Sequence, residues 1–544
     1  MLDLRGRDLV EQPIVKGDDF LQFNGELYEI EDCPECLEST ENDGLCLMQK
    51  LADCPDEQGV LDLLGSLKGE FCFIYWSSKL KTLYFGRDYF GRRSLCWNID
   101  SNRFVLDSGL DVANLGYNLC VSSVAYYGDQ QRWTEVPAIG IYKLRLQEDQ
   151  IPKIQLIRWQ SNKSTESNAS RLVQEQTGSP QAALLRSPLK RSFNFDLLDS
   201  DEIQDEKFMA GYELEFLGLL KKAVELRVTK QNFRCRECTA KQLNNKQAQK
   251  SDHQPVCTHA CLAVLFSGGL DSTVLALLAN EFVPDSLPID LINLAFCPKA
   301  PDRQTGWSSY LELKRIAPGR KWNFIAVDIA VEELTECREQ TIKKIIYPLN
   351  TVLDDSIGCA MFFAGSGKGR LIQDEPAIVD SKEDQDIDDL IDRYPSIDYE
   401  TKSKVLLLGQ GADEQLAGYS RHRTAFKIGS WPALQNEMNL DVTRISSRNL
   451  GRDDRMISTN GREARYPFLD ENVVNYLNGL PTNIKCDLNR PRGEGDKRLL
   501  RLVAGRIGLK QCCRYEKRAI QFGSKIAKLE NKKEKAGNVS DRLV

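Results

Sequence analysis

The sequence has little histidine, no long apolar run and no large excess of charge of one sign. Three histidines occur among 544 residues, namely His253, His259 and His422, so sites that combine several histidines are disfavoured. No apolar run approaches the ~18 residues that a membrane-spanning helix needs. The first eight residues are too charged for a signal peptide. We therefore expect a cytoplasmic protein without a membrane partner.

Acidic and basic residues are interspersed and nearly balance, 79 against 72, for a net charge of −7. Because nucleic-acid-binding domains usually carry a basic stripe, we expect no nucleic-acid partner. Cysteine is abundant, with 17 residues. These are expected as free thiols, because disulfides are rare inside cells.

Two short motifs contain residue types that bind zinc, Cys235-x-x-Cys238 and Cys257-x-His259-x-Cys261. However, Cys261 opens an apolar run that predicts a buried strand. The spacing of the second motif is also not that of a standard zinc finger. Unrelated thiols are therefore the better interpretation at this level, and zinc is the lesser one.

The length of the chain favours two or more domains. Residues 1–158 are β-rich, with strand patterns at 71–76, 82–85 and 139–144. Residues 159–206 are rich in Ser, Gln, Asn and charge, a composition that is typical of a linker and permits disorder.

Residues 207–530 alternate between helical and apolar strand patterns. The first predicted helix places on one face Leu214, Leu217, Val224 and Val228. Strands are predicted at 261–266, 291–296 and 405–408. The alternation indicates an α/β domain with a doubly wound parallel sheet. Outside this pattern fall polar inserts near 229–255 and 365–402 and a tail at 531–544.

A glycine-rich loop after one apolar run is the strongest local signal. Residues 263–274 read Ala-Val-Leu-Phe-Ser-Gly-Gly-Leu-Asp-Ser-Thr-Val. Glycine lets the backbone approach an anion closely, and the N–H groups that open a helix attract phosphate. Ser267 and Ser272 add hydroxyl donors, and Asp271 offers a carboxylate to Mg²⁺. A serine-capped turn is the alternative, but the complete string favours a phosphate loop that is neither a Walker loop nor a dinucleotide fingerprint.

A second glycine-bearing segment follows another apolar run. Residues 407–419 read Leu-Leu-Gly-Gln-Gly-Ala-Asp-Glu-Gln-Leu-Ala-Gly-Tyr. Together with the blocks 448–455, 462–470 and 515–524, the two segments resemble the asparagine synthetase family and its N-type ATP pyrophosphatase domain. This resemblance implies ATP and Mg²⁺ as cofactors.

The resemblance also assigns roles to individual residues. Asp271 and Asp413 would hold Mg²⁺, and Lys517 would stabilise charge on the transferring phosphate. Glu463 is a candidate catalytic acid or base, with a structural salt bridge to a nearby arginine as an equal alternative. The implied nucleotide contacts are Phe266, Ser267, Gly268, Gly269, Asp271, Ser272, Leu294, Leu408 and Gly409.

The amino-terminal region resembles class II glutamine amidotransferase domains. The resemblance rests on Phe-Asn-Gly-Glu-Leu-Tyr at 23–28, Gly-Glu-Phe at 69–71 and Gly-Arg-Asp at 86–88. It implies an α+β sandwich, N-terminally incomplete, in which Asn24, Gly25 and Asp88 are a remnant of the glutamine site. These enzymes use a cysteine as residue one of the mature chain, whereas here Leu2 follows Met1. We therefore expect this chain not to hydrolyse glutamine.

Two departures from the family bear on function. Gln410 stands where asparagine synthetases have a glutamate, and an amide cannot act as a base. Asp354 and Asp355 occupy a segment in which synthetases carry a cation, and an acidic pair repels the carboxylates of aspartate.

The expected function is ATP-dependent amide formation, nominally asparagine synthesis. A carboxylate such as aspartate would be adenylated and then attacked by ammonia or glutamine-derived nitrogen. The alternatives are a catalytically degenerate scaffold or interaction protein that retains ATP binding, and an amide ligase for a different acid. The sequence does not identify a protein partner.

Overall fold

The computed structural model describes residues 10–31, 42–99, 112–114, 119–128, 133–146, 153–160, 185–199, 206–244, 257–373, 394–529 and 537–540, with Arg5, Cys33, Leu37, Ile391, Lys535, Arg542 and Leu543. Within these residues, no helix combines the length and apolar character needed to cross a bilayer. Most of the predicted linker and of the acidic part of the second insert lies outside the described residues.

Antiparallel strands form the amino-terminal region, which confirms its predicted β character. The strands are β1 (Ile14–Lys16), β2 (Asp19–Ile30), β3 (Leu67–Ser77), β4 (Thr82–Arg87), β5 (Cys96–Ile99), β6 (Val112–Asn114), β7 (Leu119–Ser122), β8 (Trp133–Glu135), β9 (Gly140–Arg145) and β10 (Lys153–Arg158). A seven-stranded sheet has the order β1-β2-β3-β4-β9-β10-β6, and a smaller sheet has the order β7-β5-β8. Two helices, α1 (Asp43–Ala52) and α2 (Glu57–Gly65), lie between β2 and β3.

These elements pack in layers because successive side chains of a strand point to opposite faces. On one face of the large sheet, Phe73 packs in a buried cluster with Leu47 of α1 and Leu61 of α2. On the other face, Phe85 contacts Trp97 of the small sheet, with ring centroids 6.1 Å apart.

The long helix α3 (Glu206–Thr229) opens the second region. Its buried face contains Phe216, Leu220 and Val224, whereas Leu214 is 55% exposed. The predicted face was therefore wrong in its first residue. The face that packs is displaced around the helix and also includes the buried Arg227, which makes interdomain contacts.

Seven strands form the second large sheet. They are β11 (Leu262–Leu265), β12 (Ile289–Ala295), β13 (Trp322–Asp328), β14 (Lys368–Ile372), β15 (Ser396–Glu400), β16 (Val405–Leu407) and β17 (Glu463–Arg465). Their order is β15-β14-β13-β12-β11-β16-β17. The pairs β13–β12, β12–β11, β11–β16 and β16–β17 are parallel. β14 pairs antiparallel with both of its neighbours, β13 and β15. The prediction of a parallel sheet is therefore confirmed for five strands, whereas β14 and β15 add an antiparallel extension that was not predicted.

Helices cover this sheet. They are α4 (Arg236–Asn244), α5 (Leu270–Ala279), α6 (Pro301–Ile316), α7 (Val331–Cys337), α8 (Lys343–Ile346), α9 (Val352–Ser366), α10 (Ala412–Gln415), α11 (Ser420–Arg448), α12 (Leu450–Ser458), α13 (Glu471–Gly479), α14 (Thr482–Lys485), α15 (Arg498–Arg506) and α16 (Ile520–Gly523). Val264 of β11 packs in a cluster with α5 and α6, and the adjacent Ala263 packs in one with α9 and α12. The order of strands reverses between β11 and β16, where the loops that follow them leave a crevice suited to a ligand.

Both predicted polar inserts contain regular structure. The insert near 365–402 includes β14 and β15, which extend the sheet beyond β13. β15 is an edge strand with exposed, polar side chains, so its composition resembles that of a loop. The insert near 229–255 includes α4.

The expectation of free thiols holds for fifteen cysteines that the structure describes, but Cys33 is disulfide-bonded.

Candidate functional site

The predicted phosphate loop lies between β11 and α5. Gly268 has φ of 72°, and a Cβ there would lie 2.2 Å from the carbonyl oxygen of Thr305 in α6. Only glycine fits this approach. The Ser309 hydroxyl donates to the Gly268 carbonyl at 2.7 Å, and the Thr305 hydroxyl donates to the Ser267 carbonyl at 2.8 Å. No side chain caps α5 at Gly269, so the N–H groups that open this helix are suited to an anion.

The second glycine-bearing segment follows β16 and presents Asp413 on α10. A Cβ at Gly409 would lie 3.0 Å from the Cβ of Asp271. A Cβ at Gly418 would lie 2.0 Å from Asp413 Oδ1. Glycine at 409 therefore lets the two segments come close together, and glycine at 418 leaves room for the carboxylate of Asp413.

Asp271 and Asp413 share one ammonium group. Lys497 Nζ lies 2.6 Å from Asp271 Oδ2 and 2.6 Å from Asp413 Oδ1. Asp271 Oδ2 and Asp413 Oδ1 therefore lie no further apart than twice the 2.6 Å that separates each from Lys497 Nζ. Lys517 Nζ makes an ion pair with the other oxygen of Asp413. The four side chains form a cluster in which anions and cations alternate.

Lys497 is a site residue that the sequence patterns do not indicate. It immediately precedes α15 and has φ of 53°, a backbone conformation that is strained for lysine and is typical of functional sites. The sequence feature that could have indicated Lys497 is the charged, glycine-bearing loop at 490–497, which leads into this helix.

Burial and neighbouring charges compete at these groups. Burial acts to raise the pKa of Asp413, but Lys497 and Lys517 outweigh it and hold that pKa well below its ordinary value. Burial acts to lower the pKa of Lys517, but Asp413 and Asp271 raise it above its ordinary value. Both side chains are therefore charged at neutral pH. Asp302 differs, because burial raises its pKa to about 7 despite the opposing effect of Lys517.

A cavity of about 710 Å³ opens beside the charged cluster. This volume falls within the range of small-molecule sites. Among the predicted nucleotide contacts, it is lined by Phe266, Ser267, Gly269, Asp271, Ser272, Leu294 and Gly409. Gly268 and Leu408 do not line it, since Gly268 packs on α6 and Leu408 is buried with its N–H donating to the Arg465 carbonyl at 3.0 Å. Cations on its wall are Arg421, Arg448, Arg452, Lys497, Arg501, Lys517 and Arg518.

The part of the cavity near Gln410 contains charges that are already paired. Gln410 Nε2 donates to Asp453 Oδ2 at 3.3 Å. Arg452 Nη1 donates to Asp354 Oδ1 at 2.8 Å, and Arg452 Nε donates to Asp453 Oδ1 at 2.9 Å. Asp355 is also ion-paired. The repulsion expected from the two adjacent aspartates is therefore offset locally by arginine.

The structure does not bring Glu463 to the cavity. Glu463 Oε1 accepts a hydrogen bond from Arg465 Nε at 2.8 Å and lies 3.3 Å from Arg93 Nη2. Arg93 belongs to the amino-terminal region and also pairs with Asp454 at 3.0 Å. Glu463 thus joins a buried ion cluster between the two regions, which matches the salt-bridge alternative.

The predicted glutamine-site residues lie in the amino-terminal sheet, outside the cavity lining. Asn24 is exposed within β2, and Gly25 has φ of 135°. A Cβ at Gly25 would lie 2.0 Å from the Glu70 carbonyl oxygen of β3. Asp88 is buried and accepts hydrogen bonds from the Phe90 N–H at 3.0 Å and from Arg92 Nε at 2.9 Å. Its carboxylate therefore organises its own loop.

A parallel-rich sheet with paired carboxylates at two adjacent strand ends, joined to an antiparallel amino-terminal region, defines a protein of the asparagine synthetase class. The family profile "Asparagine synthase" matches residues 426–536, and "Glutamine amidotransferase domain" matches residues 4–113. Asparagine synthetase domain-containing protein 1 of Mus musculus is 36% identical over 619 residues, covering 100% of this chain and 91% of that protein. The chain belongs to the family of asparagine synthetase domain-containing proteins.

Relatives extend beyond vertebrates. Asparagine synthetase domain-containing protein CG17486 of Drosophila melanogaster is 34% identical, covering 99% of this chain and 90% of that protein. Asparagine synthetase domain-containing protein YML096W of Saccharomyces cerevisiae is 27% identical, covering 95% and 81%. Among solved structures, a glutamine phosphoribosylpyrophosphate amidotransferase from B. subtilis complexed with ADP and GMP is 12% identical over 61% of this chain and 77% of that chain, with a TM-score of 0.22. That score is too low to support an argument about fold.

Proposed function

We propose that this protein is an ATP-dependent amide-forming ligase that adenylates a carboxylate, releases pyrophosphate and then replaces AMP with nitrogen. The observation that carries the proposal is the convergence of Asp271 and Asp413 on one lysine beside a glycine-opened helix start. Asparagine formation from aspartate is the nominal reaction, with ammonia or glutamine-derived nitrogen as the nitrogen donor. Family membership supports the reaction class.

The residues present fit Mg²⁺. Asp271 Oδ1 is buried and accepts no hydrogen bond from the described residues. Asp413 Oδ1 is also buried without a hydrogen bond, although it makes the ion contact with Lys497. Mg²⁺ prefers oxygen ligands of this kind. Asp271 and Asp413 would hold the ion, which supplies charge neutralisation at phosphate oxygens when bound.

Other side chains of the cavity bind phosphate, stabilise charge and bind adenosine in the proposed reaction. The N–H groups that open α5 and the hydroxyls of Ser267 and Ser272 bind phosphate oxygens. Lys517 stabilises negative charge as pyrophosphate leaves, because a fixed cation at that point requires no rearrangement during the reaction. The apolar Phe266 and Leu294 line the part of the cavity suited to adenosine.

The part of the cavity near Gln410 is proposed to bind the acceptor acid, because the phosphate loop and the apolar adenosine wall account for the rest of the proposed contacts. Arg452 offers a cation there, although Asp354 and Asp453 already share it. An acceptor carboxylate would therefore bind together with this mixed-charge group rather than at a free cation. The pairing of Arg452 with Asp354 and Asp453 favours an amide ligase that selects its acid through hydrogen bonds.

A second candidate function is a scaffold that retains ATP binding without catalysis. This alternative is favoured by the lack of a suitable catalytic base at the two positions considered for one, 410 and 463. Gln410 cannot accept a proton at neutral pH, and Glu463 is held in the interdomain ion cluster. Under this alternative, the cavity binds ATP and no carboxylate supports pyrophosphate release.

ATP–pyrophosphate exchange across a panel of carboxylates distinguishes the two functions. We expect exchange with at least one acid, and a loss of at least about 100-fold in Asp271→Asn. Asp285→Asn, at an exposed aspartate, is the matched control and should retain exchange. Exchange that survives unchanged in Asp271→Asn would refute the proposed role of Asp271. ATP binding with no exchange for any acid would support the scaffold.

A further inference from the structure

Four side chains with metal-binding groups converge away from the ATP cavity. Cys235 immediately precedes α4 and Cys238 lies in its first turn, while Cys257 and His259 precede β11. Their ligand atoms all lie within 4.8 Å of one another. We propose that Cys235, Cys238, Cys257 and His259 form a structural zinc site.

The distances within the group match tetrahedral zinc. The Sγ atoms of Cys235, Cys238 and Cys257 lie 3.5, 3.7 and 3.8 Å from His259 Nδ1. Tetrahedral bonds of about 2.3 Å to sulfur and about 2.0 Å to nitrogen place these ligand atoms roughly 3.6 Å apart. The three sulfur–nitrogen distances therefore agree with tetrahedral zinc to within a few tenths of an ångström.

Backbone donors support the sulfur atoms as thiolates. The N–H of Cys235 donates to Cys257 Sγ at 3.4 Å, and the N–H of Cys238 donates to Cys235 Sγ at 3.4 Å. Hydrogen bonds of this type around the ligands orient them and stabilise their negative charge. Three cysteine thiolates and one imidazole form a Cys₃His set, which is a common structural zinc site.

The fourth ligand is His259, and Cys261, the second cysteine of the second motif, is not a ligand. Cys261 Sγ lies outside the group and donates to the His259 carbonyl at 3.5 Å. The sequence motif joins Cys261 to Cys257 and His259, and that spacing is not the spacing of a standard zinc finger. Without Cys261, a Cys-x-x-Cys pair and a Cys-x-His pair converge, so the interpretation of these cysteines as unrelated thiols was wrong.

The position of the group indicates a structural role. It joins the start of α4 to the residues that lead into β11, and the other end of β11 leads into the phosphate loop. Four protein ligands leave no open position for a substrate, as in structural zinc sites. Cys235 and Cys257 are buried while His259 is exposed, so the ion would have a route in from solvent.

Metal analysis of the full chain tests the proposal. The protein is purified without chelator, equilibrated with one equivalent of zinc and freed of loose metal by gel filtration. We expect about one zinc per chain by mass spectrometry, and visible absorption typical of tetrahedral cobalt–thiolate bonding after replacement by Co²⁺. A zinc content below about a tenth of an equivalent, or an octahedral cobalt spectrum, would overturn the proposal.

Variants identify the ligands. Cys257→Ser and His259→Ala should each lower zinc content at least about tenfold, whereas the matched control Cys261→Ala should retain it. Circular dichroism reports whether each variant is folded. If a ligand variant does not fold, the cobalt spectrum of the unmutated chain still decides whether a tetrahedral thiolate site exists. Loss of zinc from Cys261→Ala as complete as from Cys257→Ser would overturn the ligand set.

Discussion

Single residues in the cavity depend on one another through charge. Asp271 and Asp413 are each 2.6 Å from Lys497 Nζ. Two carboxylates brought this close would repel each other without a cation, and burial would strengthen that repulsion. The close approach of the two carboxylates therefore depends on the charge of Lys497. A bound Mg²⁺ would supply the same compensation of charge.

Replacement of Lys497 by methionine tests this dependence. We expect Lys497→Met to lower the free energy of unfolding at pH 7 by about 3–5 kcal/mol, because it leaves buried carboxylates without their shared partner. Added Mg²⁺ should raise the melting temperature of the variant more than that of the wild type, since the ion offsets the same charges. Urea unfolding and thermal melts with and without MgCl₂ measure both effects.

Lys525→Met is the matched control, because Lys525 also has positive φ, at 67°, but is not part of the carboxylate cluster. It should lose little stability and show no extra response to Mg²⁺. Equal losses in Lys497→Met and Lys525→Met would show that the contacts of Lys497 with the two carboxylates are not the source of the loss.

The predictability of these residues depends on where they lie relative to strands. Asp271 and Asp413 could be predicted because each follows an apolar strand in a glycine-bearing segment, and adjacent parallel strands end at the same edge. Lys497 precedes a helix, is remote from both along the chain, and reaches them only through tertiary packing. Its role is visible only in the structure.

At the scale of elements, α6 determines the shape of the phosphate loop. Its Ser309 and Thr305 hydroxyls hold two successive loop carbonyls, and Gly268 allows the loop backbone to lie against the helix. The two hydroxyls therefore hold the loop backbone against α6. This packing explains why Gly268, although part of the glycine pair, does not line the cavity.

Removal of one of these hydroxyls should affect both stability and binding. Ser309 is fully buried, so Ser309→Ala leaves the Gly268 carbonyl without its donor and should cost about 1–3 kcal/mol of unfolding free energy. A less constrained loop should also weaken ATP binding several-fold. Denaturant unfolding and titration calorimetry with MgATP measure these effects.

Thr335→Ala serves as control, because the exposed Thr335 hydroxyl donates only within its own helix, to the Val331 carbonyl at 2.8 Å. It should change neither quantity appreciably. Unchanged ATP affinity in a destabilised Ser309→Ala would show that α6 supports the fold without shaping the phosphate site.

Elements with strong apolar periodicity could be predicted, and those whose faces are polar could not. β11 and β16 are almost entirely buried on both faces and read as short apolar runs, and the buried β12 is apolar except for Asp290 and Asn293. β14 and β15 lie at the sheet edge, where exposed polar side chains conceal the alternation of a strand. On α3, the packed face combines Phe216, Leu220 and Val224 with the buried Arg227, and an apolar pattern alone does not indicate a face that includes an arginine.

At the scale of the whole molecule, the two regions meet through buried ion pairs. Arg227 Nε lies 2.8 Å from Glu70 Oε1, and Arg465 Nη2 lies 3.0 Å from Glu26 Oε2. Glu26 and Glu70 belong to the segments whose sequence resembles an amidotransferase. In this protein these segments therefore contribute to the domain interface. The sequence could not predict that use, because the partners lie hundreds of residues apart.

Glu70 is the centre of this interface. Its Oε1 accepts hydrogen bonds from Arg227 Nε and from the Tyr466 N–H at 3.0 Å. Burial acts to raise the pKa of Glu70, but Arg227, Arg92 and Arg93 together lower it below its ordinary value of 4.5. A carboxylate with a lowered pKa contributes stability above its unfolded pKa and loses that contribution as the pH falls through the folded pKa.

The isosteric change Glu70→Gln should therefore destabilise the protein by about 3–5 kcal/mol at pH 7, because it leaves buried arginine charge unpaired. The difference from wild type should shrink as the pH falls below 4.5, because the wild-type carboxylate then binds a proton in the unfolded chain before it does so in the folded protein. Equilibrium unfolding at a series of pH values measures this difference. Glu225→Gln, which removes the exposed pair with Lys222, is the control and should be nearly neutral throughout. A cost for Glu70→Gln that stays constant down to pH 3 would mean that the loss of the Glu70 charge is not its cause.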